Sequence, residues 1–421
     1  MGAKNLATKA MVASLLSDKK TTLHNVPHIG DLEITECLIK SLGVEVKWID
    51  HASIEINPGT LRESAASLPD SRTNRIPILL LSILLHKVGK AIVPVVGGDN
   101  IGKRNVDFHI AAIEKFGATV RKEVSQYVAY ADNRLRGAHV ELPYPSVGAT
   151  ETCLFLSILA KGTSVIKNIA TEPEIIELIT MLRSMGAVIF LDANRELVVH
   201  GVEKLSGTNF EIIGDRIEAA SWAALACASN GRLVVGGIRA DLLGNFLSYY
   251  TLVGGGYKLL GEHTIEFYRE RELLPVTIET DVYPGFSTDW QQPFCTLLTQ
   301  ANGISVIHET VHEQRFGYLE VLNKLNAKAQ TVKGCLGSLP CRYRGCDYEH
   351  SALIHGPTLL QAIDEPIVIP DLRAGLAYLI AATLAKGTTV LLGAEQIERG
   401  YGNLIHKLAK TSVNLERAVL Q

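Results

Sequence analysis

A repeat with a period of about 70 residues constrains this chain more than any other feature. A helical pattern that closes on glycine and runs into a β-branched stretch recurs at Val88-Gly89-Lys90-Ala91-Ile92-Val93, Lys161-Gly162-Thr163-Ser164-Val165-Ile166, Asn230-Gly231-Arg232-Leu233-Val234-Val235, Asn302-Gly303-Ile304-Ser305-Val306-Ile307 and Lys386-Gly387-Thr388-Thr389-Val390-Leu391. Lys19-Lys20-Thr21-Thr22-Leu23 is a weaker first copy. Glycine past a helix end, followed by Thr, Val and Ile, is the chemistry of a helix-to-strand junction. A second marker is interleaved with the first at Ser41-Leu42-Gly43, Lys115-Phe116-Gly117 and Ser184-Met185-Gly186, with a degenerate copy at Lys324-Leu325-Asn326. Two markers sharing one period argue against coincidence.

The chain therefore reads as six units, each with two helices and several strands, the fifth one longer. Such a period is too long for a helical solenoid, and a propeller blade would not carry two helices. With 421 residues the economical arrangement is two α/β domains of three units each, related by internal duplication, with the boundary near Gly214. A stretch such as Trp222 to Ala228 is apolar nearly all round, so the helices are expected inside and the sheets outside.

Composition excludes several function classes. Lys+Arg 41 against Asp+Glu 44 leaves a net charge of −3, so the phosphate-backbone attraction that dominates nucleic-acid binding has no global source. The same balance argues against an acidic membrane surface. The longest apolar run, Ile76 to Leu85, is interrupted by Pro77 and Ser82 and is about half the roughly 20 residues of a membrane span. Ser17-Asp18-Lys19-Lys20 follows the apolar N-terminal stretch where a secretory signal needs small residues, and Leu6 stands where myristoylation needs Ser or Thr. Seven cysteines, an odd number in so long a chain, do not make a disulfide framework, and the expected compartment is the cytoplasm.

No Walker A sequence is present, and Gly97-Gly98-Asp99-Asn100-Ile101-Gly102 lacks the dinucleotide-binding spacing. That glycine-rich loop continues through Lys103-Arg104-Asn105-Val106-Asp107, so it can set a carboxyl group and a guanidinium over an anion, or simply be a solvated turn. Asp215-Arg216, Thr288-Asp289, Gln314-Arg315, Asp371-Leu372-Arg373 and Glu398-Arg399-Gly400 also place charges where turns meet helices or apolar runs. Each alone reads as a surface ion pair, whereas several converging arginines would recognise a carboxylate or phosphate. In the long fifth unit, Cys335, Cys341, Cys346, His350 and His355 are spaced more widely than most zinc ligands. The reading is a structured insertion with buried thiols and no metal.

Taken in order, Gly2-Ala3-Lys4-Asn5, Gly97-Gly98-Asp99-x-Ile101-Gly102-x-Arg104-x-Val106-Asp107-x-His109, Ser146-Val147-Gly148-Ala149-Thr150, Glu172-Pro173-Glu174-Ile175, Asp215-Arg216-Ile217-Glu218, Thr288-Asp289-x-Gln291, Glu309-Thr310-Val311-x-Glu313-x-Arg315-Phe316, Asp371-Leu372-Arg373-Ala374 and Arg399-Gly400-Tyr401 resemble the UDP-N-acetylglucosamine enolpyruvyl transferases. The match spans nearly the whole chain. The resemblance implies an α/β fold of two domains, each of three βαββαβ repeats in an inside-out α/β barrel. Residues 1–213 would form the first domain, carrying the Asp99 loop, and residues 214–421 the second, with an insertion at about 333–357.

The activity implied is transfer of enolpyruvyl from phosphoenolpyruvate to the 3′-hydroxyl of UDP-N-acetylglucosamine, the first committed step of peptidoglycan precursor synthesis, with no cofactor and no metal. By the same resemblance Lys4, Arg104 and Arg399 would hold the phosphate of phosphoenolpyruvate, Arg315 and Arg373 its carboxylate, and Asp289 would take the hydroxyl proton. Asn5 would contact both reactants. Arg75, Val311, the stretch Arg104, Asn105, Val106, Asp107 and Phe108, and the stretch Tyr144, Pro145, Ser146 and Val147 would bind the sugar nucleotide.

Asp99 stands where many members have Cys, the acid that protonates the methylene carbon, so fosfomycin resistance is expected. Tyr144 replaces a Lys and Leu79 a Trp of many members, which keeps open another acceptor, shikimate 3-phosphate or a different uridine nucleotide. Members usually carry a strand upstream of the Gly-Ala-Lys-Asn motif, so either the start is truncated or another segment covers that sheet edge. A paralogue that binds without catalysis is the remaining alternative.

Overall fold

The computed structural model describes residues 1–70, 72–97 and 106–416. They divide into two compact units, the first ending at Gly214 and the second starting at Asp215. The same supersecondary piece recurs in both, an α/β repeat of helices and mixed sheets.

Its fullest copy runs His139–Glu141 (strand), Val147–Ile158 (helix), Thr163–Lys167 (strand), Pro173–Ser184 (helix), Val188–Leu191 and Leu197–His200 (strands). The first strand pairs parallel with the second, which pairs antiparallel with Leu197–His200, and Val188–Leu191 forms the outer edge. The two helices thus flank a single strand and the closing hairpin follows the second helix, whereas βαββαβ would put the hairpin between them. Thr277–Glu279, Gly303–His308, Ser351–Gly356 and Lys328–Val332 form the same sheet in the second unit. Among the described residues the sheet of Arg232–Gly236, Thr264–Arg269 and Gly255–Gly261 has three strands, and that of Ile367–Val368 and Leu391–Leu392 has two.

The first unit closes on itself. Asn209–Glu211, its last strand, lies parallel to Thr21–His24, its first, in a sheet continued by Ser53–Asn57 and Glu45–Asp50. Asn25 Nδ2 donates to the Ile212 carbonyl oxygen at 2.8 Å, and Gly2 bridges Gly214. Only glycine fits at position 2, because a Cβ there would stand 1.8 Å from the Asn25 carbonyl oxygen.

The two helices of a repeat differ in pattern because they differ in place. In Val147–Ile158 every residue from Ala149 onward is buried, and in Arg216–Ala228 all but Trp222 are. These first helices fill the middle of each unit. In Pro173–Ser184 the buried Ile175, Leu178, Ile179 and Leu182 repeat at three- and four-residue steps, and the helix packs on helix Lys4–Ser14 and strand Val188–Leu191. Truncating a core leucine such as Leu154 to alanine removes about 2–5 kcal/mol.

Among the described residues no helix is long and apolar enough to cross a membrane. Several candidate site residues stand at helix N-termini, among them Lys4, Asp107, Ser146 and Arg373.

Candidate active site

In the second unit, capping chemistry fixes the two chain segments that carry the charges. Ser287 Oγ accepts from the Asp289 amide at 3.3 Å and starts the turn that leads into helix Gln291–Leu298. Asp371 Oδ1 accepts from the amides of Arg373 (2.8 Å) and Ala374 (3.0 Å) and caps helix Leu372–Leu384. Asp289 and Arg373 are thereby held at helix starts. Arg315 joins them from the stretch after strand Gly303–His308.

The three side chains form one charge cluster. Arg315 Nη2 donates to Asp289 Oδ1 at 2.6 Å, and Arg373 Nη2 donates to Asp289 Oδ2 at 2.8 Å. The arginine side chains are 1% and 4% exposed and the Asp289 side chain 26%. Arg315 Nε and Arg373 Nη1 are buried donors with no hydrogen-bond partner among the described residues. Buried guanidinium donors lacking acceptors are costly, which is the signature of a place where an acceptor arrives from outside. The Arg373 guanidinium also lies 5.3 Å from the centroid of the Tyr401 ring, next but one to Arg399.

Glu309 organises the floor of this cluster. Its Oε2 accepts from Thr288 Oγ1 (2.9 Å) and Gln291 Nε2 (2.8 Å), and its Oε1 from the amides of Val311 (2.8 Å) and His312 (3.0 Å). Burial pushes its carboxyl above the usual range, opposed by the Arg315 charge and by these donors. Val311 is thus tied through Glu309 to the same turn that carries Asp289. Motif matching singled out Asp289, Val311, Arg315 and Arg373, but gave no role to Glu309. A buried acid accepting four hydrogen bonds from two chain segments has no sequence signature beyond its place in the Glu309-Thr310-Val311 motif.

In the first unit the named residues stand at helix starts. Lys4 opens helix Lys4–Ser14, followed by Asn5, and its ammonium pairs with Asp31 at 2.8 Å. The Asp31 carbonyl accepts from Asn74 Nδ2 at 3.2 Å, beside Arg75 and helix Pro77–Lys87, which includes Leu79. Val106 is buried at the start of helix Asp107–Lys115, with Asp107 exposed and Phe108 half-buried. Tyr144 and Pro145 lead into helix Val147–Ile158, which Ser146 caps by accepting from the Ala149 amide at 3.4 Å.

His109 links the last two helices, its Nδ1 standing 2.7 Å from Thr152 Oγ1. Burial, helped by the Arg75 charge, lowers its pKa to about 3, so the ring is neutral. Helix N-termini carry partial positive charge and unpaired N–H groups, which suits an anionic ligand. Asp31 as the lysine's partner was invisible in the sequence, because the two meet only when helix Gly30–Lys40 docks on the first helix. Asp99, Arg104 and Asn105 lie outside the described residues.

The cysteine–histidine segment is gathered differently from its spacing. His308, Cys335, Cys341 and His350 place one ligand atom each within 4.8 Å of one another. Cys346 is exposed, and neither it nor His355 belongs to the group. Elsewhere the thiols of Cys153 and Cys227 are pushed up to about 12 by burial in helix cores, which leaves them inert.

Comparisons with known proteins agree with this architecture. Residues 1–408 match the family model of EPSP synthase (3-phosphoshikimate 1-carboxyvinyltransferase). The chain is 46% identical to the UDP-N-acetylglucosamine 1-carboxyvinyltransferase of Protochlamydia amoebophila, over 98% of this chain and 90% of that one. It is 45% identical to the protein of the same name from Chlamydia pneumoniae, over 99% and 91%. Among solved structures, the enolpyruvyl transferase NikO from Streptomyces tendae superposes with a TM-score of 0.83 at 19% identity, covering 98% of this chain and 94% of that one. EPSP synthase from Acinetobacter baumannii follows at 0.68 and 15%, covering 99% and 95%. The last two likenesses establish the fold.

Proposed function

This chain belongs to the EPSP synthase family and, within it, to the UDP-N-acetylglucosamine 1-carboxyvinyltransferases, and we propose that it moves the enolpyruvyl group of phosphoenolpyruvate to the 3′-hydroxyl of UDP-N-acetylglucosamine. The product would enter peptidoglycan precursor synthesis. The observation that carries the chemical part of this reading is the Asp289 carboxylate shared by two buried arginines, each with a donor that finds no acceptor among the described residues. That pair of guanidiniums is built to recognise a carboxylate.

Arg315 and Arg373 bind the carboxylate of phosphoenolpyruvate, and Lys4, Arg104 and Arg399 its phosphate, with Asn5 alongside. Arrival of the substrate carboxylate takes the place that Asp289 holds on the arginines, and the released Asp289 becomes the base. It accepts the proton of the 3′-hydroxyl as that oxygen adds to C2 of phosphoenolpyruvate, while Asp99 delivers a proton to the methylene carbon. In the tetrahedral adduct a proton then leaves the new methyl group, the C2–O bond to phosphate breaks, and the double bond returns with release of inorganic phosphate. Concentrated positive charge around the reacting carbon is what lets a hydroxyl approach a trianion.

Arg75, Val106, Asp107, Phe108, Tyr144, Pro145, Ser146 and Val147, with Asn105 and Val311, bind the sugar nucleotide. On this reading a first domain over residues 1–213 would include Asp99, and a second over residues 214–421 would include the base and the 333–357 insertion. An Asp at position 99 is an acid only if closure over the substrate raises its pKa from the ordinary value of about 3.9.

The deciding experiment is phosphate release from phosphoenolpyruvate with three acceptors supplied in turn. Release with UDP-N-acetylglucosamine and not with shikimate 3-phosphate or UMP is expected. Release with either of the others moves the acceptor assignment, and release with none of them leaves a binding protein.

A further inference from the structure

We propose that His308, Cys335, Cys341 and His350 hold one zinc ion that clips the fifth-unit insertion to the central strand of its sheet. The connection from residue 333 to residue 350 joins strand Lys328–Val332 to strand Ser351–Gly356 without helix or strand of its own. Its length exceeds the roughly 12–15 residues that ordinary connections reach, so a chain this long in a compact domain needs something to order it. Its apolar content is small: Leu336 is exposed, Leu339 and Tyr348 are half-buried, and Tyr343 is the one large apolar side chain it buries.

The four ligand atoms are already gathered. They lie within 4.8 Å of one another, and Cys335 Sγ stands 3.2 Å from His350 Nε2. A tetrahedral zinc with bonds of about 2.0–2.3 Å sets its ligand atoms roughly 3.3–3.8 Å apart, so closure needs a shift of about 1 Å. Two thiolates and two imidazoles are a zinc set, and two thiolate charges cancel the ion's own, which keeps the half-buried cluster neutral.

Both imidazoles are oriented from behind. His308 Nδ1 faces Glu279 Oε2 at 3.0 Å, and His350 Nδ1 faces the Tyr348 carbonyl oxygen at 2.8 Å. Each ring is therefore fixed with Nε2 toward the thiols, the carboxylate- and carbonyl-backed arrangement that metal-binding histidines adopt. His308 is fully buried, yet its Nε2 has no hydrogen-bond partner among the described residues. A zinc ion satisfies that nitrogen. The Tyr343 amide points at Cys341 Sγ from 3.4 Å, a donor placed to stabilise a thiolate.

Glu279 also accepts from the amides of Ser338 and Leu339, both at 2.9 Å, so the carboxylate behind His308 anchors the insertion as well. The Glu309 amide donates to the His350 carbonyl at 2.7 Å, and Arg342 Nη2 and Tyr343 Oη donate to the Val311 carbonyl at 2.5 and 2.8 Å. The clipped insertion thus buttresses the segment that carries Glu309 and Val311.

The test is metal analysis of the full-length protein purified in reducing, chelator-free buffer. One tightly held zinc per chain is expected, lost in Cys335→Ser and Cys341→Ser and kept in Cys346→Ser. Cobalt exchanged into the wild-type protein should show tetrahedral d–d bands and thiolate charge transfer. Those cobalt bands and X-ray absorption with two sulfur and two nitrogen neighbours decide the matter even if the serine variants fail to fold. Absence of zinc both as isolated and after reconstitution overturns the proposal, as does a Cys335–Cys341 disulfide in the reduced preparation or zinc retained by both serine variants.

Discussion

Arg315 holds Asp289 at 2.6 Å through Nη2 while its own Nε, fully buried, donates to nothing among the described residues. If the substrate carboxylate displaces Asp289, removing the competitor should tighten binding and abolish chemistry together. Asp289→Asn is expected to lower turnover at least about 100-fold, the scale of a lost general base, while the dissociation constant for phosphoenolpyruvate falls. Calorimetric titration alongside phosphate release checks both. Weaker binding of phosphoenolpyruvate in the variant would rule out the exchange.

Asp99 is expected to leave the enzyme active in the presence of fosfomycin, because a carboxylate opens an epoxide far less readily than a thiolate does. Asp99→Cys should restore labelling at one equivalent per chain by mass spectrometry, and Asp99→Asn should stop turnover with substrate binding retained. Stoichiometric inactivation of the wild type by fosfomycin contradicts this role.

Glu309 Oε1, a buried carboxylate oxygen, accepts from the amides of both Val311 and His312. Glu309→Gln turns a donor toward one of these amides or withdraws an acceptor from it. Hydrogen bonds to charged groups contribute about 1.5–3 kcal/mol, so exchange at the two amides should quicken by roughly 10- to 100-fold. Hydrogen-exchange mass spectrometry of the peptide around Val311 reads this directly, and unchanged protection would show that the segment is held by other contacts.

His109 makes acid stability measurable. Burial and the Arg75 charge lower its folded pKa to about 3, against 6.5 for the free group. Above pH 6.5 neither state takes the proton and the stability contribution is complete. Below it the unfolded chain binds a proton that the native ring refuses, so stability is lost down to about pH 3, by about 1.4 kcal/mol per pH unit. His86, lowered to about 4 chiefly by burial, adds a parallel slope. His109→Gln removes only the first, so the stability gap between wild type and variant should narrow by about 2 kcal/mol from pH 7 to pH 5 in urea unfolding. A gap independent of pH means that the native histidine titrates normally.

The repeat was legible because helix-to-strand junctions need a left-handed residue, and that need is local. Gly186 sits at φ 104°, and its degenerate counterpart Asn326 reaches 72°, the substitution the left-handed region tolerates best. Strand pairing is a matter of distant partners, and the order of strands within each sheet could not be derived from the junctions alone.

The charged residues of the second unit were legible as motifs, yet Asp371 acts on backbone amides whereas Arg373, two residues on, acts on Asp289. Spacing does not separate those roles. The cysteine–histidine group was read along the chain, and the ligand that completes it, His308, stands 27 residues before Cys335 on a neighbouring strand. Linear spacing rules capture metal sites built on one hairpin, and this one borrows from the middle of a sheet.

The pairing of Asn209–Glu211 with Thr21–His24 sets a clock on biosynthesis. Asn25 and Ile212, joined by a hydrogen bond, are 187 residues apart, and at about 5–20 residues per second the earlier strand waits roughly 10–40 s for its neighbour to leave the ribosome. Through that interval Thr21–His24, paired on one side with Ser53–Asn57, presents its other edge unpaired. The nascent first unit is thus a natural client for chaperones that shield open strand edges, and slow codons upstream of residue 209 would lengthen its exposure.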